Sequence, residues 1–257
     1  MHQERCWTDQ ISWRPTLPSS NGPVLDVRDL VCGYGGKEVL HGVSVGLAAS
    51  EVVAIVGHNG AGKSTLLKAI FGLIPANNGS LFILGQQGRG FSPRELLRLG
   101  CVYVPQGGRV FTGLTVRENL ELAAITIRDG RRMHEAIESV VSSFPVIGAR
   151  ADQRAGTLSG GEKQMLALGM ALVLSPRVLL LDEPSLGLSP PAASEAIRKI
   201  QSLSRSLGTA VLIVEQKVRE VLAIASRAYV IRCGEVTYSG LASELVRNAE
   251  RLRSVFW

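Results

Sequence analysis

Gly57 to Thr65 reads "GHNGAGKST", and its glycines, lysine and hydroxyl satisfy G-x-x-x-x-G-K-[ST]. Glycines let backbone N–H groups approach an anion closely, and a helix starting at the same point adds the positive end of its dipole. Across the run Gly57, Asn59, Gly60, Gly62 and Thr65, this is a cradle for phosphates: Lys63 would reach the β and γ groups and the Ser64 hydroxyl would ligate Mg²⁺. A second stretch, "VLLLDEP", runs an apolar segment into two carboxylates. Asp182 suits a magnesium shell and Glu183, one residue on, suits the polarising of a water. Adjacent carboxylates at a strand end are often only a solvated loop; a phosphate cradle earlier in the chain favours chemistry. A third stretch, "LSGGEKQ" from Leu158 to Gln164, is another glycine-rich, helix-opening loop. Ser159, Gly160 and Gly161 could present N–H groups to an anion, or Ser159 and Glu162 could simply form a capping box. One nucleotide needs only one such loop.

The elements around these residues must hold them at one edge of a sheet. "EVVAIVG" before the cradle reads as a strand buried on both faces, and "KSTLLKAIFGL" after it as a helix. "VLDVRDLV" alternates like a half-buried strand. "RVLLLD", "AVLIV", "RAYVIR" and "EVTYS" read as further strands, with helices "PAASEAIRKIQSLSRSLG" and "VREVLAIAS" between them. Strands alternating with helices predict an α/β protein with a largely parallel sheet covered on its faces. Between them, residues from about 88 to 165 read as mainly helical, with "LTVRENLELAAI" and "RRMHEAIESVVSSF" apolar at helical spacing, and predict an inserted lobe. Residues 1–23 read as an irregular leader and 24–257 as one domain.

The 257 residues are 46% hydrophobic and 19% charged, which excludes a disordered chain. "MLALGMALVLS" is too short to span a bilayer and reads as a buried helix. The first residues show no secretory pattern, so a cytoplasmic location is expected. Four scattered cysteines form no C-x-x-C pair and read as reduced thiols. The net charge of +6 is spread along the chain and picks no partner.

With the cradle, the signature loop and the carboxylate pair in this order, the chain resembles the ATP-binding-cassette family of ATPases from about Val24 to about Leu245. The resemblance implies a P-loop NTPase core with antiparallel β elements and an inserted helical lobe, binding ATP and Mg²⁺. It also implies a head-to-tail dimer in which Ser159, Gly160 and Gly161 serve the ATP held by the partner's P-loop, so the two glycine loops serve two nucleotides. Matched one by one, Tyr34 takes the place of the aromatic that stacks on adenine. Gln106 takes that of the glutamine that contacts Mg²⁺ and the attacking water and opens the lobe. Gln216 stands where most cassettes carry a histidine that senses the γ-phosphate, and a glutamine amide can donate a hydrogen bond but cannot carry a proton. Ser189 stands where many members have Asp, and "AAS" replaces the usual Pro-Gly turn before Glu51.

Finer wording, such as "AGTLSGGEKQMLALGMAL" and "VEQKVREVLAIASRAYVI", is similar to the second ATP-binding subunit of branched-chain amino acid importers, with urea and amide importers close by. "VPQGGRVF" leans toward the urea or amide relatives. The implied partners are integral-membrane permease subunits, a second ATPase subunit, the same or different, and indirectly a solute-binding protein. The implied place is the cytoplasmic face of the plasma membrane. Val110, Phe111 and Leu114 are candidate groove residues for the permease, or else lobe core. Other readings are a cassette ATPase acting on nucleic acid or ribosomes and a regulatory module without hydrolysis. The single cassette without large insertions argues against the first, so no nucleic acid is expected. Lys63, Asp182 and Glu183 argue against the second.

Overall fold

The computed structural model describes residues 22–247. The leader expected at 1–23, apart from Gly22 and Pro23, lies outside the described residues, as do Cys6 and positions 248–257.

The chain opens with a hairpin, β1 (Leu25–Tyr34) and β2 (Lys37–Leu47), turned at Gly35-Gly36 with both glycines at positive φ. β3 (Val52–Val56) follows with every residue buried, and α1 (Lys63–Ile70) starts after the cradle. Next come β4 (Ala76–Ile83), β5 (Gln86–Gln87), α2 (Pro93–Leu99) and β6 (Cys101–Val104). α3 (Val116–Ala123), α4 (Gly130–Ser143), α5 (Pro145–Gly148) and α6 (Gly160–Val173) form the helical stretch. Strands and helices then alternate: β7 (Val178–Asp182), α7 (Pro190–Leu207), β8 (Ala210–Val214), α8 (Val218–Ile224), β9 (Arg227–Arg232), β10 (Glu235–Leu241) and α9 (Ala242–Arg247). The helix starts are written locally. α2, α3 and α6 each begin with a Ser or Thr whose oxygen accepts from the N3 amide, while a Glu at N3 bonds back, so two otherwise unpaired donors are satisfied at each start.

Two sheets result. The larger runs β10-β9-β3-β8-β7-β6, parallel throughout except for β10 at its edge; the smaller, β2-β1-β4-β5, is antiparallel. Alternate residues of the central strands feed two cores. Val53, Ile55, Leu180 and Leu212 pack with Leu66, Leu67 and Ile70 of α1 against Leu25, Leu40 and Leu81 of the smaller sheet. Ala54, Val56, Leu181 and Ile213 face the other way, toward Leu166, Ala196 and Val221 of α6, α7 and α8. Burial on both faces explains why these strands read as unbroken apolar runs.

The stretch expected to be mainly helical, 88–165, includes a strand of the core. β6 pairs in parallel with β7, and Leu96 of α2 lies in the core around α1. The continuous helical part therefore begins after Gln106. The two sheets are stitched together at two places. The Gly234 N–H donates to the Ala61 carbonyl at 3.0 Å while its own carbonyl accepts from His41 N at 2.9 Å. Arg227 binds Glu51 at 2.6 and 3.0 Å and the Gly46 carbonyl at 2.8 Å.

Candidate functional site: a nucleotide-binding edge

The cradle leaves β3 at Gly57, whose φ of 153° places the position of an added Cβ 2.1 Å from the Ile231 carbonyl oxygen. At Gly62, φ is 106° and a Cβ would lie 2.6 Å from Leu40. A larger residue at Gly57 would run into the β9 backbone, and one at Gly62 would be strained by its positive φ. Lys63 is buried, and its Nζ donates to the Gly57 and His58 carbonyls at 2.8 Å each. Burial lowers its pKa, and the charges of Glu183 and Asp182 act against that shift. Thr65 is buried in α1, while Asn59 and Gly60 are exposed on the loop.

Asp182 ends β7. Its Oδ1 accepts from Ser64 Oγ at 2.8 Å and its Oδ2 from the Tyr103 hydroxyl at 2.9 Å. Burial raises the Tyr103 pKa, and the Asp182 charge and hydrogen bond add to the shift, so the phenol stays a neutral donor. Glu183 follows with φ at +49°, a left-handed conformation that a non-glycine residue holds only where its surroundings enforce it. Here its N–H donates to the Val214 carbonyl at 2.9 Å, and its side chain is clamped: Gln106 Nε2 is 2.7 Å from Oε2 and Gln216 Nε2 is 2.7 Å from Oε1. The structure thus brings Lys63, Ser64, Gln106, Asp182, Glu183 and Gln216 together from segments far apart in the chain.

Tyr34 ends β1 with half its surface exposed, so a flat ring is open to an aromatic ligand. Ser159, Gly160 and Gly161 lie elsewhere. Ser159 caps α6 through the Glu162 amide at 3.3 Å, and Glu162 in turn pairs with Arg150 at 2.8 Å. A Cβ added at Gly160 or Gly161 would meet Gly187, or Leu188 and Ala192, only at about 4 Å. The capping box therefore leaves the start of α6 at the surface.

Two residues of this edge were not singled out from sequence. Tyr103 stood inside an apolar tetrapeptide with no chemical signature. Glu215, 1% exposed, accepts from Ser185 N at 2.8 Å and from Gln216 N at 3.1 Å, joining the loop after Glu183 to the loop that carries Gln216. Its position after an apolar strand, as with Asp182, is the signal that could have found it.

The arrangement is hard-oxygen chemistry. No group of three or more His, Cys, Asp or Glu among the described residues could hold a metal ion alone. A single carboxylate beside a hydroxyl fits Mg²⁺, which keeps several waters and binds through one or two carboxylates plus substrate phosphates.

A parallel sheet with a phosphate cradle at the end of one strand and a carboxylate pair at the end of the next strand but one defines a P-loop nucleotide triphosphatase. The ABC transporter family model matches residues 40–186. Among relatives, the probable branched-chain amino acid transport ATP-binding protein LivF of Archaeoglobus fulgidus is 41% identical over 219 residues, covering 85% of this chain and 92% of LivF. The high-affinity branched-chain amino acid transport ATP-binding protein BraG of Pseudomonas aeruginosa is 41% identical over 222 residues, covering 86% and 94%. Among solved structures, the ADP conformation of MJ1267, an ATP-binding cassette of an ABC transporter, superposes with a TM-score of 0.81 at 26% identity, covering 90% of this chain and 97% of that one. The chain belongs to the ABC transporter family, as one of its ATP-hydrolysing subunits. No helix among the described residues is long and apolar enough to cross a membrane.

Proposed function

We propose that this subunit powers the uptake of branched-chain amino acids or a similar small polar solute such as urea or an amide. It would act at the cytoplasmic face of the plasma membrane, with permease subunits, a second ATPase subunit and, indirectly, a solute-binding protein. The names of LivF and BraG support the solute class.

The observation that carries the chemistry is the clamp on Glu183, each oxygen held by a different glutamine amide. Tyr34 stacks on the base. Gly57, Asn59, Gly60, Gly62, Lys63 and Thr65 bind the phosphates. Ser64, Asp182 and Gln106 would hold Mg²⁺, which when bound would supply neutralisation of phosphate charge. Glu183 accepts a proton from the attacking water, and Gln106 and Gln216 fix the direction of its lone pairs. Ser159, Gly160 and Gly161 complete the site of a second subunit through the positive end of α6. ATP thereby joins two subunits, and hydrolysis lets them part.

Glu183→Gln keeps the shape and removes the charge, so it should retain ATP binding and lose ~10²- to 10⁴-fold in turnover. Steady-state hydrolysis close to wild type would end the assignment of Glu183 as base. The solute is tested separately, by uptake of labelled leucine and labelled urea in cells with and without this gene. Unchanged uptake of both would remove the proposed cargo.

A further inference from the structure

We propose that Tyr103 is a positioning residue of the cation site: by binding one oxygen of Asp182 it holds the carboxylate in the orientation that serves a small, octahedral cation. This rests on the reading of Asp182 as a metal-holding residue.

Tyr103 lies on β6, the edge strand of the larger sheet, where it pairs with Leu180, two residues before Asp182. Its ring is half-buried and packs against Phe71, which ends α1, with centroids 5.5 Å apart. The phenol is held at its ring by the end of α1, and its hydroxyl reaches Asp182 Oδ2 at 2.9 Å. The start of the same helix supplies Ser64, whose Oγ donates to Oδ1 at 2.8 Å. Two elements flanking β7 therefore grip the two oxygens of one carboxylate.

Rotation of an aspartate carboxylate about its terminal torsion is broad and roughly two-fold, so a single donor leaves it free to swing. Donors on different oxygens stop that rotation. Each oxygen of an ionised carboxylate has about two acceptor sites, so the grip leaves capacity on each while fixing its direction. A carboxylate free to turn can present both oxygens to one ion, the bidentate mode open to the larger Ca²⁺, whereas Mg²⁺ demands near-ideal octahedral geometry. The Tyr103 hydroxyl thus acts on metal preference without being a ligand.

The test uses the full chain and a non-hydrolysable ATP analogue, with Mn²⁺ as a spectroscopic probe read by electron paramagnetic resonance. Tyr103→Phe fits the same space beside Phe71 and removes only the hydroxyl. It should weaken Mn²⁺ binding in the analogue complex roughly tenfold, at the low end of what loss of an outer-shell partner causes. Affinity for the analogue in EDTA should stay unchanged, and Ca²⁺ should displace Mn²⁺ better relative to Mg²⁺ than in the wild type. Unchanged metal affinity and an unchanged Ca²⁺ to Mg²⁺ preference would overturn the proposal. So would an equal loss of analogue affinity with and without metal, which would mark Tyr103 as a packing residue only. Asp182→Asn separates this from the underlying reading: it should abolish the metal-dependent gain in analogue affinity. If that gain survives in Asp182→Asn, the metal-holding role of Asp182 fails, whatever Tyr103→Phe does.

Discussion

Gln106 and Gln216, on different loops, donate to the two oxygens of the same carboxylate, each from 2.7 Å to Glu183. The first follows β6 and the second follows β8, so the carboxylate proposed as the base is held from two segments of the core. An amide does this without titrating, and the arrangement needs no imidazole at position 216 to orient the base.

Gln216→Ala should therefore slow hydrolysis about tenfold or somewhat more, the effect of losing a hydrogen bond to a charged group on the order of 1.5 kcal/mol. Nucleotide binding should stay near wild type. Gln216→His, which can donate from a ring nitrogen, should keep substantial activity. Turnover of the assembled transporter is the measurement; identical rates for Gln, Ala and His would remove residue 216 from the mechanism.

Gly160 and Gly161, next to Ser159, have Gly187 and Leu188 of their own chain as neighbours, and the loop is proposed to meet a nucleotide on another. Ser159→Arg should abolish ATP-dependent dimerisation, read by light scattering, and leave nucleotide affinity of the monomer largely intact. An equal loss of monomer affinity would mean that the loop works on its own chain's nucleotide.

The Glu51–Arg227 pair supplies a pH prediction. Burial acts to raise the Glu51 pKa, but the hydrogen bonds and charge of Arg227 and the Ala48 amide win, and it is held below the ordinary carboxylate value. A folded-state pKa that is depressed gives stability present above the unfolded value and lost as pH falls through the folded one. Glu51→Gln should thus cost about 1–2 kcal/mol near neutrality, the range of a charge-assisted pair that is partly exposed. The difference should narrow as pH drops below the ordinary carboxylate value. Thermal melts of both proteins at pH 7 and pH 3 check it, and a constant gap between them would count against the linkage.

The contiguous parts of the site were legible because each motif is a short run on one element: the cradle joins β3 to α1, and Asp182-Glu183 ends β7. What escaped was set by distant partners. β4, "ANNGSLFI", opens with residues that favour turns, yet Gly79 at φ 94° and Asp29 at φ 49° let it pair with β1 through an irregular register. β6 has only four residues between Gly100 and Pro105, too few for alternation to declare a strand inside a helical-looking region. Tyr103 meets Asp182 across 79 positions and Glu215 meets Ser185 across 30, contacts that no local spacing encodes.

The splice at Gly234 has a metrological consequence. Ala61 of the phosphate loop and His41 of β2 are both bonded to that single peptide unit, and β2 runs beside the strand that ends in Tyr34. A Cβ at Gly234 would lie 2.1 Å from the Val39 carbonyl oxygen, so the junction has no slack for a larger residue. The gap between the exposed ring and the phosphate loop is thereby a fixed gauge set by the protein backbone. On the proposed reading of Tyr34 and Glu183, a nucleotide stacked on the ring would be measured from its base outward, and its terminal phosphate would arrive at Glu183 or fall short of it.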